Sequence, residues 1–442
     1  MSHRQSKHVW PVVALSSALA LLLLEFGGVL NMAFFLNYGQ ALDRLENGGG
    51  GGDMSLPPDP YSAPGRLVFN VSDPWETDWV PFNPSFPPPV NWLQVAKDAI
   101  LGSDSATVPP LAQNGVDSPS KVFKIPGQGI RRHPRLSKPH LHRQPVDQML
   151  AASVPAAQKP SQQDLMGLFG RKTILVLGDS VDRGNIKYMS ENLGLPLKIA
   201  QWEDANDPDH LKYLDNGANP SYLPHQLWLP QPIDALITNC FLYGLDDKRD
   251  LLDSDADTKI DRAEDRIEKL CKPYTDQLKY PVSAISLQSG LWDLAYFGRR
   301  SVAGNITTTT PLTEKDLDWW LQRMEVLYEA VQKAWPGVPI VLRKMQRASA
   351  VGAEARYWHK NPNAATGFQN FFTDVRVHQI RNMQEYFAQQ HGLEVHDFGM
   401  HFEGYQEDYS VDVHPANIPG GIVHNKAFLH YMHRALLSKQ RE

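Results

Sequence analysis

The chain has 442 residues, a formal net charge of -6 and two cysteines. The modest charge excludes a polyelectrolyte partner such as nucleic acid, and two cysteines exclude both a disulfide-scaffolded fold and a cysteine-rich zinc site. More than half of the 34 prolines precede Phe169, which leaves the remainder as one domain rather than the two or three that length alone allows.

Arg4 and Lys7 precede an apolar stretch, residues 10–36, long enough to span a bilayer as a helix. Glu25 lies near its middle; a central carboxylate costs about 2.5–3.5 kcal/mol, which the flanking Leu and Phe, at about 0.3–0.6 kcal/mol each, offset. A cleaved signal with core Val12 to Leu24 is the alternative, but Glu25-Phe26-Gly27-Gly28 puts bulky residues where a peptidase requires small ones. The expectation is an uncleaved type II anchor. Residues 1–9 are then cytosolic and the rest lies in the secretory lumen, with the Golgi as its setting. The sequons at Asn70 and Asn305 fit that side as glycosylation sites.

Residues 37–168 read as a flexible stem: a glycine run from Gly48 to Gly52, then prolines and polar residues. Within it, "DPWETDWVPFNPSFPPPVNW" carries Trp75, Trp79, Phe82, Phe86 and Trp92. That density predicts packing on a folded domain rather than solvation. "KVFKIPGQGIRRHPRLSKPHLHRQP" is basic with no acidic residue and reads as a solvated tether.

From residue 169 to the end, strand and helix patterns alternate, the signature of a parallel sheet covered on both faces. Strand candidates are "TILVL", "LKIAQW", "PIDALITN", "PVSAISLQ", "PIVLRKM" and "LEVHDF". Leu317 to Trp335 shows helical spacing, with Thr313 and Asp316 as its start and Pro336-Gly337 as its stop. A second helix is predicted within "TDVRVHQIRNMQEYFAQQHG", ending at Gly392, and a terminal one carries His424, His430 and His433. Cys240 and Cys271 both fall in this part; one bridge and two separate buried thiols fit the sequence equally.

"TILVLGDSVDRGN" places Ser180 directly after an unalternating strand, at the sheet edge where open α/β folds bind ligands. Ser180 is there a nucleophile, or else Asp179 or Ser180 merely caps the next helix. A nucleophilic serine needs a base, an orienter for the base and oxyanion donors. His414, in the late Pro-bounded turn "YSVDVHPANIPGG", is the candidate base, and Asp412 or Asp408 its orienter.

"GDSVDR", "LQSGLWDL" and the late Asp/His turn resemble the GDSL/SGNH acyl-hydrolase superfamily, and within it the PC-esterase branch, which includes the trichome-birefringence-like polysaccharide O-acetyltransferases and fungal membrane-anchored relatives. The resemblance covers roughly Lys172 to the carboxyl terminus. It implies a three-layer, flavodoxin-like α/β fold with a parallel sheet and no cofactor. The catalytic residues would be Ser180, His414 and Asp412. Gly244, Trp292, Asp293 and Arg183 would serve the oxyanion or substrate. Two departures stand out. The superfamily's Gly-x-Asn-Asp reads Gly290-Leu291-Trp292-Asp293 here, so the asparagine donor becomes an indole N–H. Asp412 also precedes His414 by two residues rather than three. The function implied is an esterase or O-acyltransferase acting on acyl, chiefly O-acetyl, groups of glycans or polysaccharides.

Two rival functions stay open. "DSDADTKIDRAE" places Asp253, Asp255, Asp257, Asp261 and Glu264 at the acidic positions of a calcium loop, but Thr258 stands where glycine is demanded. The same Asp253-Ser254-Asp255 has the D-x-D form of many Golgi glycosyltransferases. The third class is a non-catalytic glycan-binding protein of the same fold.

Overall fold

The computed structural model describes residues 56–102 and 162–441, except 57–58, 69–72, 87, 205–206, 216–222, 247–261, 348–370 and 404–413. One compact unit runs from Pro57 to Glu442. Among the described residues no helix is long and apolar enough to cross a membrane; the expected anchor at 10–36 lies outside them. The basic stretch 121–145 lies outside them too.

In chain order, β1 (Gly65–Val68) and β2 (Asp78–Pro81) form an antiparallel hairpin, followed by α1 (Trp92–Gly102) and α2 (Gln162–Phe169). Then come β3 (Thr173–Gly178), α3 (Ser180–Leu193), β4 (Leu197–Asp204), β5 (Asp207–Asp215), β6 (His225–Leu229) and β7 (Ala235–Phe241). Next, α4 (Ala263–Arg266) runs through a π turn (Ile267–Cys271) into α5 (Lys272–Asp276), before β8 (Val282–Leu287), α6 (Leu291–Ala303) and α7 (Glu314–Ala334). β9 (Ile340–Arg343), α8 (Asp374–His391), β10 (Glu394–His396), a one-turn α9 (Phe398–His401) and α10 (Ile422–Arg441) complete the order.

The main sheet has eight strands in the order β10-β9-β8-β3-β7-β6-β4-β5. The first five are mutually parallel. β6, β4 and β5 follow antiparallel, so the expected all-parallel sheet is corrected at this edge. All six strands read from the sequence are present; β5 and β6 are additional.

The unalternating apolar run of β3 has its reason in two cores. Ile174 and Val176 pack on one face with α1, α2, α3 and α10, while Leu175 and Leu177 pack on the other with α4, α6, α7 and α8. The result is three layers. α7 begins with the predicted capping box, Thr313 and Asp316 bonding reciprocally, and α8 ends at Gly392 in the left-handed conformation (φ 63°). Cys240 of β7 and Cys271 of the π turn are joined in a disulfide, which settles the alternative that the sequence left open.

The stem assignment is corrected between residues 59 and 102. Tyr61, Trp79 and Trp92 are core residues, Trp75 packs against the same cluster, and Phe82 is exposed. The physical reason is α10, whose polar side chains need partners. Lys426 Nζ is buried and donates to Trp75 O (2.6 Å), Thr77 O (3.0 Å) and Asp78 Oδ1 (2.9 Å). His430 bonds Asp59, and His433 stacks on Trp92 with ring centroids 4.2 Å apart.

Candidate active site

β3 lies between β7 and β8. The chain leaves it toward β7 and later crosses to β8, so its carboxyl end is a topological switch point, where such sheets open a crevice. Ser180 is the first residue of α3 there, and Asp179 is the N-cap. Asp179 Oδ1 accepts from the Val181 N–H at 2.8 Å, and Asp182 Oδ2 accepts from the Asp179 N–H at 3.2 Å. The two roles that the sequence allowed are thus divided: Asp179 is the cap and Ser180 is left half-buried at the crevice. As a first-turn residue, Ser180 has a backbone N–H with no acceptor within its own helix.

His414 Nε2 lies 2.8 Å from Ser180 Oγ. The turn after His414 is held onto α3, since Asn417 Nδ2 donates to Glu191 Oε2 (2.9 Å) and Asn417 Oδ1 accepts from Asn192 Nδ2 (3.1 Å). A neutral imidazole with its proton on Nδ1 accepts the serine hydroxyl at Nε2, which is the arrangement for general-base activation. Asp412 and Asp408, the candidate orienters, lie outside the described residues.

Beneath the serine is a buried ionic layer that the sequence did not reveal. Asp182 pairs with Arg343 of β9, Arg343 Nε–Asp182 Oδ1 at 2.5 Å and Nη2–Oδ2 at 2.9 Å, and both side chains are buried. The Asp182 carboxylate is thereby turned inward to the sheet. Gly178 is required by the same packing; a Cβ there would lie 2.0 Å from Asp182 Oδ2. Burial pushes the Asp179 carboxyl up to about 6, the Asp182 charge adds to the rise, and Arg343, the Val181 N–H and His414 oppose it.

The wall beside the serine is aromatic. The Arg183 guanidinium lies 5.3 Å from the Phe241 ring centroid, and burial lowers its pKa. Phe241 and Tyr243 are 4.7 Å apart, and the half-buried Trp292 meets Tyr243 edge-on at 5.1 Å. Gly244 follows Tyr243 with φ 80°, a conformation that favours glycine, and a Cβ there would lie 2.5 Å from Asp293 Oδ1.

Asp293 corrects an expectation. It faces neither oxyanion nor substrate but is fully buried, because the first turn of α6 lies beneath the loop after β7. Its Oδ1 accepts from the Leu245 N–H (2.7 Å), and Oδ2 accepts from Ser289 Oγ (2.7 Å) and Trp320 Nε1 (2.9 Å). Burial raises its pKa, and those three donors oppose the rise. Ser289 was visible only as part of the Ser-Gly-Leu-Trp-Asp block, and Trp320 carried no sequence signal for this contact.

Of the calcium-loop candidates, Asp253, Asp255, Asp257 and Asp261 lie outside the described residues, while Glu264 is engaged by Arg323 at 2.6 Å. No metal-ligating cluster occurs among the described residues. Asn305 is exposed after α6, and Asn70 lies outside the described residues.

No family model matches the chain, and no curated protein does. Among solved structures, one described as "a putative GDSL-like lipase" from Parabacteroides merdae is similar over 60% of this chain and 98% of that one, at 12% identity and a TM-score of 0.33.

Proposed function

We propose that this chain is a serine acyl-enzyme esterase or O-acyltransferase of the SGNH type, close to the PC-esterase branch, acting on O-acetyl groups of glycans or polysaccharides. One observation carries this reading: a serine hydroxyl and an imidazole 2.8 Å apart at the switch point of a mainly parallel sheet. Ser180 Oγ passes its proton to His414 Nε2 and bonds to the acyl carbon, and the carbonyl oxygen becomes an oxyanion facing the N-terminal N–H groups of α3. Collapse breaks the ester C–O bond, and the leaving alkoxide takes the proton from His414. Water or a sugar hydroxyl, deprotonated by His414, then attacks the acyl-serine; collapse breaks the Ser180 Oγ–acyl bond, and the serine takes the proton back from His414.

The Tyr243–Trp292 wall with Arg183 beside it supports a sugar as leaving group or acceptor, since pyranose C–H faces pack on aromatic rings and guanidinium donates to ring hydroxyls. The Cys240–Cys271 disulfide supports an oxidising lumen, and residues 10–36 supply a type II anchor to hold the domain there.

The test is covalent labelling by a fluorophosphonate, with acetyl release and transfer followed on a panel of acetylated sugars. Wild type should label and turn over, and Ser180→Ala should do neither. Equal background turnover in both, with no label, overturns the enzyme reading in favour of glycan binding without catalysis.

A further inference from the structure

Resting on that reading, we infer that Asp293 is the positioning residue that builds the second oxyanion donor, by drawing the Leu245 N–H inward and thereby fixing the Gly244 peptide toward Ser180. Around a left-handed residue successive peptide N–H groups can face one concavity, and a carboxylate beneath the loop that takes one of them fixes the orientation of its neighbour. Asp293 Oδ1 takes the Leu245 N–H at 2.7 Å, while Oδ2 is tied by Ser289 Oγ and Trp320 Nε1. With three donors converging on one carboxylate, its rotamer is fixed and so is the peptide above it. Gly244 lies against the carboxylate so closely that no larger residue fits without displacing it. Phe241 of β7 pairs with Gly178 of β3, which brings this loop beside the serine's own strand end.

Asparagine at this position has one acceptor where the carboxylate has two. If its oxygen takes the Leu245 N–H, its amide N–H opposes the Trp320 N–H; reversed, it opposes Leu245. Phenylalanine at 320 removes the opposing donor, so in Asp293→Asn/Trp320→Phe the oxygen is free to serve Leu245. The double variant should therefore be less stable than Asp293→Asn, having lost a buried indole, and yet more active. A merely structural role moves both quantities down together.

The experiment measures kcat, KM and fluorophosphonate labelling rate for wild type, Asp293→Asn and Asp293→Asn/Trp320→Phe, with Tm in parallel. Asp293→Asn should lose about 10²-fold in kcat and in labelling rate at unchanged KM, the size of one lost or misplaced oxyanion donor. The double variant should regain about 10-fold of that despite a lower Tm. Wild-type kcat in Asp293→Asn, or no recovery in the double variant, overturns the inference while leaving Ser180 labelling intact. A folded wild type that does not label overturns the proposed function and this inference with it. Should Asp293→Asn not fold, Ser289→Ala removes one anchor and keeps the carboxylate. A fall of about 10-fold in kcat at unchanged KM then carries the inference, and unchanged kcat overturns it.

Discussion

Ser180 Oγ and His414 Nε2 lie 2.8 Å apart although 234 residues separate them in the chain. A contact of that sequence separation exists only because the fold makes it, and its chemistry is that of one unit. His414→Ala should therefore lower kcat about as far as Ser180→Ala, by roughly 10⁴–10⁶-fold, and the double variant should be no worse than either. Active-site titration separates the two singles: His414→Ala labels slowly at Ser180, and Ser180→Ala does not label. Additive losses in the double variant would mean that the two residues act independently.

Gly244→Ala meets two obstacles together. Its φ of 80° costs an alanine about 1–2 kcal/mol, and the new methyl would lie 2.5 Å from Asp293 Oδ1 and 2.9 Å from Trp292 Cβ. Relief requires moving the loop, so kcat should fall about 10²-fold at the same time as Tm drops. A stability loss with unchanged kcat would show that the loop plays no part in catalysis.

What the sequence disclosed and what it hid divide along physical lines. The unalternating β3, the capping box of α7 and the glycine stop of α8 are local signals, and each was legible. β5 and β6 were not, because "DPDHLKYLD" and "HQLWL" belong to an antiparallel edge where the pattern is mixed. Tyr61 read as part of a stem because irregular backbone carries no periodicity, whereas the aromatic density around Trp79 was legible as packing on a folded domain; the rings they meet, His430 of α10 and His401 of α9, lie more than 300 residues later. In the site, Ser180 and His414 were legible because each stands at a turn bounded by glycine or proline. The burial of Asp293 beneath the loop was not legible, since a motif fixes spacing but not which face of the first helical turn meets the crevice.

Arg343 is the least legible participant, joined to Asp182 across 161 residues and buried with it. Removing the cation alone leaves a buried carboxylate without compensation, so Arg343→Met should cost about 3–5 kcal/mol in a urea titration. Asp182→Asn/Arg343→Met removes both charges and should recover at least half of that loss. Because Asp182 also caps the Asp179 N–H, the double variant should stay below wild type by about 1 kcal/mol. Full additivity of the two single losses would mean that the pair does not interact.

Lys426 tests whether the segment before α1 belongs to the same fold as the main sheet. Its side chain is 1% exposed, and its ammonium satisfies two carbonyls and the Asp78 carboxylate. Lys426→Met keeps the aliphatic stem but strands those acceptors, and should cost about 3 kcal/mol or more. Limited proteolysis should then cut first between residues 59 and 91, ahead of the sheet. Wild-type protection there would show that the segment docks without the ammonium.

The pH dependence of stability follows from histidines buried as neutral rings. Burial lowers the pKa of His396, His401 and His424, and takes His225 and His433 to about 4. Below the ordinary histidine value near 6.5 the unfolded chain binds protons that the folded chain refuses, so stability present at neutral pH is lost as pH falls. Asp179 acts with the opposite sign. Its folded pKa of about 6 lets the native state hold a proton that the unfolded chain has released, which favours folding most below the ordinary carboxylate range and fades as pH rises through 6. Burial raises the Asp78, Asp293 and Glu394 carboxyls as well, and these four groups oppose the five histidines without outnumbering them. Each net proton taken up on unfolding is worth about 1.4 kcal/mol per pH unit, so Tm should fall steeply from pH 6.5 to pH 4.5. His424→Asn should flatten that slope by about one proton, whereas an unchanged slope would show that His424 is not buried as the neutral ring.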